Sequence, residues 1–300
     1  MSFLNPVNEP VKRFKSTDTG APQINYDVRT AGDVKAVLKA CLVTGYGSVA
    51  SAGWSIVNEI DHIAEFVSPS AAMSDYRLGV DDSSVSSTTW YYQHQNSRTN
   101  PSFNSPSKTF GSINATHPDN GWQLFITAHG FVFVELVQHA AINKLSARMT
   151  YFSQIKSGLI DGTGANMMFF NVGHSATIEL PEQFYLTSHP HLVIGSFTDV
   201  QMFSATPFPL GKRGYYYGAA MLDIASPIYT AVTGKDLVTG EVPGILSKLT
   251  NDTASTYGVQ ETTIGERNAI SICCGFPTDT AITAYENSRT FLIYLDYWEY

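Results

Sequence analysis

Residues 30–44 are the clearest place where apolar side chains recur at helical spacing, and that scarcity limits what the rest of the chain can build. Val34, Val37, Leu38, Cys41 and Leu42 repeat every three or four residues, while Lys35 and Lys39 fall outside the stripe. Thr30 is placed to cap the helix, with Asp33 three residues on as its acidic partner. Gly45-Tyr46-Gly47 is the stop signal. One face of this helix is expected to be buried against a sheet.

Elsewhere the apolar residues come in short runs between turn formers, which reads as strands. Such runs are 54–57, 63–67 and 76–80, then 122–126 and 130–137 around a turn at Ala128 to Gly130. Residues 141–157 fit either state, with Tyr151 and Phe152 as candidates for a further strand. Later runs at 167–170, 176–180, 184–186, 192–194 and 270–274 continue the pattern, and 291–298 reads as one strand with residues to pack on both sides. Residues 214–222 precede a break at Pro227, and 233–240 read as a polar linker. The expected fold is predominantly β or α+β, with antiparallel or mixed sheets and the N-terminal helix packed on the first domain.

Three regions are expected: an extended N-terminal arm over 1–29, where Pro6, Pro10 and Pro22 discourage helix; a first α+β domain over 30–157; and a second β-rich domain over 158–300. The Asn- and Ser-rich stretch 93–121 reads as a long surface loop of the first domain. If the arm serves only to clamp a neighbour, losing residues 1–24 weakens assembly more than folding.

Composition narrows the function. Only 15% of residues are charged and 12% are aromatic, which suits wet contacts between subunits better than a highly charged monomer surface. A net charge of −8 argues against a nonspecific nucleic-acid binder, which needs concentrated Lys and Arg. No run of about 18 apolar residues is present, so a transmembrane helix is not expected. The first fifteen residues show no signal-peptide pattern. Cys41, Cys273 and Cys274 read as reduced thiols, since adjacent cysteines in a strand point to opposite faces.

Motifs with chemical potential are sparse. His189 and His191 could share a face of an extended segment, with His174 or Asp199 as further ligands, but diagnostic metal spacing is missing. His139 and Glu135 have helix-compatible spacing in a run that reads as strand. Asp81-Asp82 and Asp223 could supply carboxylates; for Asp81-Asp82 a strand-ending acidic turn explains the pair equally well. Gly45 and Gly47, like Gly162 and Gly164, lack the remaining glycines of a dinucleotide or phosphate loop. Asn114 and Asn251 head glycosylation-like triplets that read as chance matches. Trp90, Tyr91 and Tyr92, and likewise Tyr215, Tyr216 and Tyr217, could form a carbohydrate platform or anchor an interface. No catalytic, cofactor-binding or metal residue is assigned, and no cofactor is expected.

The segment Phe14 to Pro22, followed by Val37 to Ser48 and Ala52-Gly53-Trp54, resembles a family of tailed-bacteriophage virion proteins. Tyr76 to Asp82 is similar to that family's next strand and acidic turn, and Glu241 to Leu246 to a weaker motif near its end. The resemblance implies a non-enzymatic structural role in the tail, neck or baseplate. It implies a virion location after synthesis in the host cytoplasm, homo-oligomeric packing, and other tail, neck or baseplate proteins as partners. Direct nucleic-acid binding and membrane insertion are not expected. The alternatives are a virion-associated carbohydrate-binding module and a particle-borne glycan hydrolase.

Overall fold

The computed structural model describes residues 7–25, 29–85, 87–94, 97–106, 121–139, 144–154, 156–157, 167–172, 183–187, 227–232, 235–241, 243–248, 259–274 and 289–300. The fold is α+β with mostly antiparallel sheets, and one early α-helix packs on a β-rich region. Two compact units divide the chain: Lys12–Leu145, and Met1–Val11 together with Ser146–Tyr300. Strand β1 (Asn8–Pro10) belongs to the second of these.

In the unit Lys12–Leu145, β2 (Lys12–Lys15) leads to helix α1 (Asp33–Lys39), which widens into a π-helical turn over Ala40–Thr44. Strands β3 (Ser55–Ile60), β4 (Ile63–Val67), β5 (Tyr76–Asp81), β6 (Ser87–His94) and β7 (Ser97–Pro106) follow as a five-stranded antiparallel meander in chain order. Its register gives it two unlike faces. Ala64, Val80 and Trp90 stand opposite one another on neighbouring strands, and all three are buried. The row on the other face is Glu65, Gly79 and Tyr91. There glycine is required by space, because a β-carbon at Gly79 would come within 1.9 Å of the Tyr91 ring.

The second sheet of this unit contains β2, β8 (Gly121–Thr127) and β9 (Gly130–His139). Phe14, Leu124 and Phe133 align across it on one face, flanked by Trp122, Ile126 and Phe131. That face meets the apolar face of the meander: Trp90 lies 6.0 Å from Phe133 and Trp54 5.8 Å from Phe131, ring centre to ring centre. Tyr46, just beyond the π-turn, bridges Phe14 at 6.0 Å and Trp122 at 6.4 Å. Full burial of each such side chain contributes about 1.5–3 kcal/mol, so this aromatic layer holds the two sheets of the unit together.

The other unit contains β10 (Lys144–Gln154) from Ser146 onward, β11 (Lys156–Ser157), β12 (Met167–Val172), β13 (Gln183–Thr187), β14 (Pro227–Val232), β15 (Lys235–Glu241), β16 (Ile245–Lys248), β17 (Val259–Ile264), β18 (Arg267–Cys274), β19 (Arg289–Tyr294) and β20 (Tyr297–Glu299). β17, β18, β19 and β16 pair antiparallel in that spatial order, and β18 meets β10 in a parallel contact at Ala147 and Cys274. β10 continues antiparallel into β12 and β13. Separately, β15 is flanked by β11 and β14.

Several sequence expectations are corrected. Ser97–Pro106, read as part of a long loop, is strand β7. Its ladder runs through the backbone, so the Asn- and Ser-rich composition hides it, and Pro101 and Pro106 are tolerated on an edge strand. The polar stretch at 233–240 contributes β15. The terminal run 291–298 is two strands, because Asp296 makes a turn after β19 and Asn268 holds that turn with two hydrogen bonds, from N at 2.7 Å and Nδ2 at 3.0 Å. Residues 176–180, 192–194 and 214–222 lie outside the described residues.

The lead segment is extended, and its own chain pairs it. β1 lies along β20, and β2 along β8, where Phe14 is only 1% exposed. This part of the chain therefore has an internal packing role and needs no neighbour to order it. Replacing Phe14→Ala should lower the unfolding free energy by about 3–5 kcal/mol, measured by urea denaturation of the dilute chain. An unchanged midpoint would return the segment to a purely external role.

Candidate functional site

Asp82 is a fully buried carboxylate with partners from several parts of the chain. It follows β5, is 0% exposed, and forms an ion pair with Arg29, which also donates to Thr88. The Thr88 hydroxyl donates to Asp82 Oδ1 at 2.9 Å, while the Val34 and Lys35 amides reach Oδ2 at 2.8 and 3.4 Å. Its backbone is engaged too, accepting from Gly32 N at 2.9 Å and donating to His62 O at 3.1 Å. Burial pushes the Asp82 carboxyl above the ordinary carboxylate range, against the opposing pull of Arg29, Thr88 and the two amides.

This arrangement corrects the expected helix start. Gly32 occupies the N-cap position with φ 93°, and no side chain caps from there. Asp33 takes its expected part as the acidic partner, its Oδ2 accepting from Thr30 N at 3.0 Å. The cap comes from Asp82, 48 residues beyond Val34, and it supplies negative charge where the helix amides are unpaired. Lys35 also departs from its expected position: it is buried, donates to the Asp61 carbonyl, and pairs with Glu59 at 2.8 Å. Lys39 meets the same carboxylate at 2.9 Å, and hydrogen bonds from both lysines lower the Glu59 pKa.

Two further polar groupings have the residue types of catalytic sites. Ser70 Oγ and His129 Nδ1 lie 2.9 Å apart and are buried. A hydroxyl beside an imidazole is the minimum for an activated nucleophile. Here the flanking contacts fasten a turn, since Ser68 donates to the Ala128 carbonyl and accepts from Ser70 N at 3.0 Å. Glu65 is also buried, accepting from Tyr91 at 3.3 Å and Gln93 at 2.8 Å, with Arg77 at 3.8 Å. Neither grouping was singled out from sequence. Ser70 and His129 are 59 residues apart, on the β4–β5 and β8–β9 connections of two different sheets.

The remaining candidates take simpler places. Trp90 and Tyr91 are 1% and 4% exposed, which removes both from any surface platform. Glu135 is buried on β9, the strand that the sequence leads one to expect there, and four residues along it span about 13 Å of backbone. Cys41 is fully buried, and burial raises its thiol pKa well above the usual range. Gly45 and Gly47 have φ of 76° and 52° around the turn after the π-helix, so their role is backbone geometry. Asp81 accepts from Ser83 Oγ at 2.6 Å in a local turn. His174, His189, His191, Asp199, Asp223, Gly162, Gly164, Asn114, Asn251, Tyr215, Tyr216 and Tyr217 lie outside the described residues. Among the described residues no cluster of three metal-ligating side chains occurs, and no helix is long and apolar enough to cross a membrane.

Comparison with models of protein families, with curated proteins and with solved structures finds no match for this chain.

The long-range cap separates from the local one by mutation. Asp82→Ala leaves Arg29 buried without its counter-ion and should cost about 3–5 kcal/mol of stability, whereas Thr30→Ala should stay within about 0.5 kcal/mol. Equal effects in chemical denaturation would sink the Asp82 cap. At the C-terminal turn, the hydrogen bonds from Asn268 hold the Asp296 carboxyl below its ordinary range. That contact favours the fold above the unfolded-state pKa and is lost as pH falls through the lower folded value. Asn268→Ala should move the Asp296 titration, followed by NMR, upward; an unmoved midpoint would reject the assignment.

Proposed function

We propose that this chain is a structural subunit of a tailed-bacteriophage particle, placed in the tail, neck or baseplate, and that its work is mechanical packing. The place in the particle rests on the resemblance carried by Phe14 to Pro22, Val37 to Ser48, Ala52 to Trp54 and Tyr76 to Asp82, with a weaker motif at Glu241 to Leu246. Support for a scaffold role comes from how these segments engage one another. Phe14 packs on Tyr46, the Tyr46 hydroxyl donates to Asp18 at 2.8 Å, and Trp54 N donates to the Leu42 carbonyl at 2.9 Å. Asp82 holds the helix that leads into Val37 to Ser48. The quoted residues thus specify packing within the unit.

The observation that carries the packing role is the outer side of β3. This strand pairs only with β4 among the described strands, and it bears Val57 and Ile60 at 47% and 60% exposure. Exposed apolar side chains on an open strand edge favour association with another chain. The Val57 bulge interrupts the ladder and limits how far a partner strand can extend along it.

Ile60→Lys should lower the oligomeric mass seen by light scattering while leaving the circular dichroism spectrum unchanged. A wild-type chain that stays monomeric at all concentrations would reject packing between copies. Mass spectrometry and reconstruction of purified particles test the location, and absence of the chain from tail, neck and baseplate would reject it.

A further inference from the structure

We propose that β1 is an exchangeable arm that, on assembly, leaves β20 of its own chain and pairs with β20 of a second copy. The proposal rests on the subunit reading above and names one contact through which copies join. The partner surface is defined by the pairing within the chain. Asn8, Glu9 and Pro10 stand opposite Glu299, Trp298 and Tyr297. Val7 and Tyr300 exchange backbone hydrogen bonds at 3.0 Å each, and Val11 N donates to the Asp296 carbonyl at 3.1 Å. A second copy offers the same β20, so exchange re-forms each bond that it breaks.

The arm is lightly held at its tip and firmly held at its root. Asn8 and Pro10 are exposed, Glu9 is half-buried, and Val7 is 40% exposed. β1 and β20 form a sheet of only two strands, an arrangement with little stability of its own. At the root, Phe14 is buried on β2. Val11 alone separates β1 from β2, and the division between the two units falls directly after it. A short connection between separately anchored strands favours swapping.

β20 has supports that do not depend on the arm. Trp298 is fully buried, donates from Nε1 to the Tyr294 carbonyl at 3.0 Å, and stacks on Tyr151 with ring centres 6.4 Å apart. Arg267 lies over the Tyr294 and Tyr297 rings at 3.6 and 3.9 Å. The Tyr300 and Ser153 hydroxyls are 2.9 Å apart. Release of β1 would therefore leave an ordered strand with an open edge, the template for an incoming extended segment.

Asn8 and Glu299 lie directly opposite, next to the hydrogen-bonded pair Val7 and Tyr300. Such a non-hydrogen-bonded antiparallel pair has its Cα atoms about 4.5 Å apart, within disulfide reach. Chains carrying Asn8→Cys are mixed with chains carrying Glu299→Cys, assembled, oxidised and mapped by peptide mass spectrometry. A bond joining residues 8 and 299 can form in this mixture only between chains, and its yield should rise with protein concentration. Circular dichroism of each variant confirms folding before mixing, and the double variant oxidised at high dilution should close the bond within one chain. Oligomers by light scattering with no 8–299 bond in the mixture would overturn arm exchange and leave the subunit reading standing. Monomers at every concentration would overturn arm exchange together with packing between copies.

Discussion

The unit Lys12–Leu145 depends on one buried charge. Asp82 links Arg29, the first amides of α1, the β3–β4 turn through His62, and β6 through Thr88. A carboxylate removed from water is tolerated only when charge and hydrogen bonds replace its hydration, and here both are provided by different parts of the chain. The same contact sets the helix against the meander. Trp90, two residues beyond Thr88 on the same strand, lies against Phe133 of the second sheet.

Many of the described aromatic side chains lie in the core. Among the described residues the largest fully buried side chains include Trp90, Trp122, Trp298, Tyr151 and Phe14. Among the described residues, these rings join sheet to sheet or strand to sheet. Polar side chains that could have marked chemistry are engaged at buried positions: Ser70 with His129, and Glu65 with Tyr91 and Gln93. The exposed apolar residues Val57 and Ile60 share an edge strand, whereas Trp90 and Tyr91 are buried.

How much could be read in advance varied with the range of the responsible interaction. The strands near 63–67, 76–80, 122–126 and 130–137 were legible, because alternation and apolar runs bounded by turns are local signals. The turn at Ala128 to Gly130 was legible for the same reason. β7 was not, because a polar edge strand is held by its neighbour's backbone and leaves almost no trace in side-chain pattern. Thr30 looked like a cap because capping residues usually lie beside the helix they serve; the cap arrives from Asp82 after three intervening strands. In the candidate site, Asp82 could be noticed as one of an acidic pair, but its partners Arg29 and Thr88 could not.

The sequence by itself determined the periodicities: one amphipathic helix, a succession of short strands, and glycines where the backbone must turn sharply. These follow from steric and hydrophobic preferences acting over a few residues. Tertiary structure alone decided which carboxylate caps the helix, which strands meet, and that the lead segment lies along β20 and β8. Those outcomes join residues separated by tens to hundreds of positions, and their energies arise only when desolvated charges, backbone edges and aromatic faces find partners in three dimensions.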